Sequence, residues 1–165
     1  MSRMSAPRLI FAAALATGLA ACSGGSSSTD EAPSAAAPLE IKERQDNFEA
    51  IGDAFKAVRG ELEKDAPDFA LIAARATDIN GRAQRIEALF PVGTSTGDGF
   101  KTEALPTIWQ KPEEFKAASR KLVDESAKLA SLAGGGDKGA VGAQAMAMGG
   151  ACKGCHDQFR LDDKK

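Results

Sequence analysis

Tyrosine is absent from this 165-residue chain, and tryptophan and histidine each occur once, the histidine as His156. Aromatic residues make up only 5% of the sequence, and β-branched residues are sparse. Alanine is by far the commonest residue, and leucine, lysine and glutamate are well represented, a composition that favours helices. No charge of either sign prevails: 21 Lys and Arg face 23 Asp and Glu, for a formal net charge of −2. A nucleic-acid partner would call for a basic patch or stripe, and none is apparent. The one sustained apolar run, Leu9 to Ala21, is too short for a persuasive transmembrane helix. Cysteine is scarce as well, with Cys22 near one end and Cys152 and Cys155 near the other. A chain of this length is expected to hold one small domain.

What is present near the C-terminus is Cys152-Lys153-Gly154-Cys155-His156. Cys-x-x-Cys-His is the attachment signature of a c-type haem. The two sulfurs add across the haem vinyl groups as thioethers, and the adjacent histidine becomes an axial iron ligand. Two other chemistries use similar residues. A thioredoxin-like pair needs a strand–helix setting near the start of a βαβ unit, whereas this pair closes a helical pattern. A structural zinc site normally takes four Cys or His ligands, and Cys152, Cys155 and His156 make three. One haem c, held through Cys152 and Cys155 with His156 on the iron, is therefore the expected cofactor. Because His156 is the only histidine, the other axial position must hold a different group or none. Committing it to iron also leaves no base for a Ser/His/Asp set, so the chain is not expected to be an enzyme.

Residues 1–21 have the form of a bacterial lipoprotein signal peptide. Arg3 and Arg8 supply a basic start, the apolar run follows, and Leu19-Ala20-Ala21-Cys22-Ser23 has the form of a lipobox. Lipidation and cleavage at Cys22 would anchor the chain on the periplasmic side of a bacterial membrane, inner or outer. The alternative is an ordinary secretory signal and a soluble periplasmic protein. Loss of Arg3 and Arg8 would take the net charge from −2 to −4. Contact with the membrane is expected through the lipid alone, several acyl chains giving stable anchorage. Residues 22–38 are rich in Ser, Gly, Ala and Pro without hydrophobic periodicity, as expected of a flexible tether.

Residues 39–165 carry four amphipathic patterns. The first, about 39–64, places Ile41, Phe48, Ile51, Phe55, Val58 and Leu62 on one stripe. The second runs from near Pro67 to Phe90, with Asp65 as its expected N-cap. A long connection, 91–112, follows, tied down by Phe100, Leu105, Ile108 and Trp109. The third pattern starts near Pro112 and stops at Gly134-Gly135-Gly136. The fourth, about 137–161, carries the haem motif and four glycines, for which close packing or haem contact would compensate. Four such helices predict an all-α fold, an antiparallel four-helix bundle.

On these residues the chain resembles cytochrome c′, the class II c-type cytochromes. The resemblance rests on Cys152-Lys153-Gly154-Cys155-His156-Asp157-Gln158-Phe159-Arg160, on Lys42-Glu43-Arg44-Gln45-Asp46-Asn47-Phe48 and on Pro106-Thr107-Ile108-Trp109. It spans roughly residues 39–162. Glu43 stands where the family has an aromatic, and the glycine-rich fourth helix is unusual. The resemblance implies that Phe48 lies opposite His156, where leucine or phenylalanine in relatives leaves the iron five-coordinate and methionine makes a six-coordinate electron carrier. It implies further that Arg44 pairs with a haem propionate and that Arg160 lies beside the proximal face. After signal removal the only methionines are Met146 and Met148, on the same helix as His156 and expected to fill the core.

Such a haem would bind nitric oxide or carbon monoxide, in a nitric oxide scavenging or sensing role. A monohaem electron-transfer cytochrome with a redox partner protein is the alternative. Many relatives pair through their first two helices, so a homodimer is also open.

Overall fold

The structure, a computed structural model, describes residues 38–162. The signal peptide, the lipidation site at Cys22 and all of the tether but Pro38 lie outside the described residues. Helix α1 (Leu39–Leu62) follows Pro38, whose fixed φ suits the entry to a helix. Its stripe divides. Ile41, Ile51 and Val58 are buried, while Phe48 and Phe55 remain half-buried. The buried carboxylate of Glu61 closes the helix by accepting from Lys64 Nζ at 2.6 Å and from the Asp68 amide at 3.1 Å. The Lys64 bond, then the Asp68 amide, hold Glu61 below the usual carboxylate range.

Helix α2 (Phe69–Ala83) is capped by Asp68, which accepts from the Leu71 amide at 3.0 Å. Asp65 is not the cap. Ala66 precedes Pro67 and is biased away from helical geometry, and Asp68 is the next side chain able to cap. The helix also ends seven residues earlier than its periodicity suggests. A 3₁₀ turn at Glu87–Leu89 carries the apolar pattern onward, so Ile86 and Leu89 are buried all the same. Phe90, ahead of Pro91, is non-helical.

One turn, α3 (Thr107–Gln110), interrupts the long connection before α4 (Pro112–Ala133). Pro112 opens α4, with Glu113 and Glu114 favourably placed in its first turn. The three glycines end it, Gly136 at φ +72°. Asp137 then caps α5 (Lys138–Phe159) by accepting from the Gly139 and Ala140 amides.

The four long helices form an antiparallel bundle, as expected, and the described residues contain no strand. Helix α1 packs on α2, α2 on α4 and α4 on α5 around fully buried Val58, Ile72, Ile79, Leu129 and Val141. Between α1 and α5 contact is sparse. That gap positions the site.

Candidate cofactor site

A cavity of about 720 Å³ lies among α1, α4, α5 and the 91–106 loop. Its size falls within the usual range for a ligand site. From α5 come Cys152, Cys155, His156 and Phe159, whose three-, four- and seven-residue spacings put them on one helix face. From α1 come Arg44, Phe48, Gly52 and Phe55, again at helical spacing. Helix α4 contributes Phe115, Ser119 and Leu122. The structure thus brings Phe48 and the haem motif to one cavity across more than a hundred residues of sequence.

Aromatic rings brace the walls. Phe48 meets Phe90 edge-on with centroids 6.2 Å apart, Phe90 meets Phe115 at 4.9 Å, and Phe115 meets Phe159 at 5.3 Å. Edge-to-face pairs add modestly to the apolar burial that fixes these rings. Trp109 secures the middle of the row by donating from Nε1 to the Phe90 carbonyl at 3.2 Å.

Burial pushes the Cys152 thiol above its ordinary range, and burial together with the neighbouring Cys152 pushes Cys155 up to about 11. A thiolate is costly here, whereas a thioether carries no charge and suits the apolar wall. His156 retains solvent exposure at the cavity edge. Partial desolvation, then the Arg160 cation, lowers its pKa and favours neutral imidazole, the form that ligates metals.

Arg160 donates from Nε to Glu103 Oε2 at 2.6 Å and lines the cavity beside His156. That ion pair belongs to a short seam. The Leu105 amide bonds to the Phe159 carbonyl at 3.0 Å, and the Leu161 amide to the Glu103 carbonyl at 2.8 Å. The loop is therefore stitched to the end of the motif helix.

Arg44 is 2% exposed, and the structure gives its terminal nitrogens a task that the sequence did not suggest. Nη1 donates to Thr94 Oγ1 at 2.7 Å, while Nη2 donates to the Thr94 carbonyl and to Thr102 Oγ1 at 2.8 Å. Its guanidinium also lies 4.7 Å from the centre of the Phe90 ring. Arg44 lines the expected cavity and also holds the loop there. Burial lowers its pKa without discharging it.

The methionines separate. Met148 is fully buried and fills the core, but Met146 is 75% exposed and does not. The residues around it on the outer face of α5 are small, so nothing closes over its side chain. Neither methionine lines the cavity. Phe55 was legible as a wall residue from its seven-residue spacing to Phe48. Phe90, Ser119 and Lys101 were not, because their places depend on how the loop and α4 meet α1. The thioether-compatible cysteines, the neutral imidazole and the largely apolar walls together fit a covalently bound haem.

Comparison with known proteins agrees with this chemistry. A family model described as Cytochrome C′ matches residues 40–160. The cytochrome c′ of Rhodospirillum rubrum is 38% identical over 123 residues, which cover 74% of this chain and 82% of that protein. Among solved structures, a cytochrome c′ with ligand-controlled dimer dissociation is 30% identical with a TM-score of 0.68, covering 74% of this chain and 95% of its own. A nitric oxide complex of a variant cytochrome c prime from Alcaligenes xylosoxidans is 27% identical with a TM-score of 0.66, covering 74% and 94%.

Proposed function

The chain belongs to the cytochrome c′ family, and from that premise we propose that it binds nitric oxide or carbon monoxide at a five-coordinate haem iron. The observation that carries this reading is the composition of the cavity. His156 stands on one wall and Phe48 on another, and among the described residues no second histidine and no methionine lines it. Bound there, haem supplies an iron with one axial position open to a diatomic ligand. His156 offers the proximal nitrogen, and Cys152 and Cys155 offer the two sulfurs. A phenyl ring at position 48 has bulk but no lone pair, so it crowds the open side without coordinating. Water gains no hydrogen bond from such a wall, whereas neutral, strongly bonding gases need none. The nitric oxide complex of a relative's variant supports the same choice of ligand. Scavenging or sensing of nitric oxide is the role we assign.

Titration of the reduced holoprotein with carbon monoxide and with nitric oxide tests the reading. Each gas is expected to convert the whole haem spectrum at about one molecule per haem. A spectrum indifferent to both gases, of low-spin form with a sulfur ligand, would make the protein an electron carrier instead.

A further inference from the structure

We propose that Glu103 is a positioning residue for the proximal side of the haem. It holds and neutralises Arg160 beside His156, and so keeps the midpoint potential of the iron below the value that an unpaired arginine there would give. The His156 imidazole makes no hydrogen bond among the described residues. A metal-bound histidine ordinarily gives its second nitrogen to a carboxylate, a carbonyl or water. With no such partner in the described protein, the charges around the ring set its surroundings. Three act on it: Arg160, Asp157 and Glu103, the cation in one sense and the two carboxylates in the other. Asp157 is bonded to Lys153 at 2.8 Å along the exposed face of α5, and neither of these two lines the cavity. Arg160 and Glu103 both do.

Glu103 grips the end of α5 twice. Its carboxylate accepts from Arg160 Nε at 2.6 Å, and its carbonyl accepts from the Leu161 amide at 2.8 Å. The next residue, Ala104, forms an antiparallel bridge with Arg160 itself. The carboxylate therefore stands on backbone already fixed against α5, and the long arginine side chain is held by the loop. Arg160 and Glu103 side chains are 51% and 43% exposed, so water screens the pair and it contributes little to stability. Its consequence is electrostatic. Reduction adds an electron at the iron, which a nearby cation favours and a nearby anion opposes. With the pair closed the two largely offset each other, whereas an uncharged residue at position 103 would leave the guanidinium uncompensated beside His156. This inference rests on His156 as the proximal ligand and is independent of which gas, if any, binds the iron.

The test uses holoprotein of the wild type, Glu103→Gln, Glu103→Asp, Arg160→Met and the Glu103→Gln/Arg160→Met double variant. A control, Glu113→Gln, removes an exposed carboxylate of α4 outside the cavity lining. Redox titration reports the midpoint potential, and resonance Raman spectra of the ferrous protein report the iron–histidine stretch. Glu103→Gln keeps the backbone bond to Leu161, and is expected to raise the potential and lower the stretching frequency. Arg160→Met should move both the opposite way, and the double variant should return both towards wild type. Glu103→Asp, which restores the charge, should match the wild type, as should the control. A Glu103→Gln protein indistinguishable from the control in both readouts would overturn the assignment. So would single variants that shift the potential in the same direction, the mark of a structural disturbance common to both. A ferrous wild type without an iron–histidine band would remove His156 as the ligand, and this inference with it.

Discussion

Phe48 belongs at once to the α1 stripe and to the cavity, and its half-buried state reflects both. One edge of the ring leans on Phe90, and the remainder borders the space that a haem would occupy. On the proposed reading such a ring would act as a steric filter, and its removal would widen the approach to iron. Phe48→Ala holoprotein is expected to bind carbon monoxide at least about tenfold faster, a barrier lower by roughly 1.4 kcal/mol. Flash photolysis measures the rate, and an unchanged value would place Phe48 away from the ligand path. The sequence makes this residue legible because it shares a helical stripe with Arg44, one turn before it, and because the family resemblance marks the position. Arg44 was legible only in part. Its placement beside the cavity follows from the same spacing, but its partners Thr94 and Thr102 lie fifty and fifty-eight residues away, on a loop with no periodicity to read.

Helix α5 shows how an element tolerates residues that weaken it. Of the four glycines before the haem motif, two have a close neighbour, and one of these lies on another helix: a Cβ at Gly149 would lie 3.4 Å from Phe55 Cζ, across the narrow contact with α1. Gly139 sits against the capping Asp137 carboxylate. Gly142 and Gly150 have nothing within 4 Å, so the close packing expected to compensate them is missing at those two sites. Gly142→Ala and Gly150→Ala should each stabilise the protein by about 0.5–1 kcal/mol, through a less entropic unfolded chain and better helix propensity. Denaturant unfolding of the holoprotein checks this, and a loss of stability in either variant would contradict it. Element identity was readable from the 3.6-residue period, since burial and period follow from the same geometry. Element ends were less so. Asp65 and Asp68 are both acceptable caps, and only the bias that Pro67 imposes on Ala66 separates them. The apolar pattern beyond Ala83 mimics helix because a 3₁₀ turn buries Ile86 and Leu89 as effectively.

At the scale of the whole molecule, three helix contacts are close and the fourth is held open. The bundle gains its stability along α1–α2–α4–α5, and the gap between first and last helices is lined by side chains from both ends of the domain. The 91–106 loop closes one end of that gap, tied to α1 by Arg44 and to α5 by the seam from Glu103 to Leu105. The same loop accounts for most of what the sequence left unread about the site, since a segment without periodicity shows its position only when the elements it joins are in place. A haem set in this gap would have His156 as its proximal ligand and, among the cavity residues, neither methionine nor histidine to oppose it. The spin state of the ferric iron in the purified holoprotein tests that claim most directly. Electron paramagnetic resonance at neutral pH is predicted to show high-spin ferric haem, with no sulfur-to-iron band in the matching optical spectrum. A low-spin signal with methionine character would contradict it.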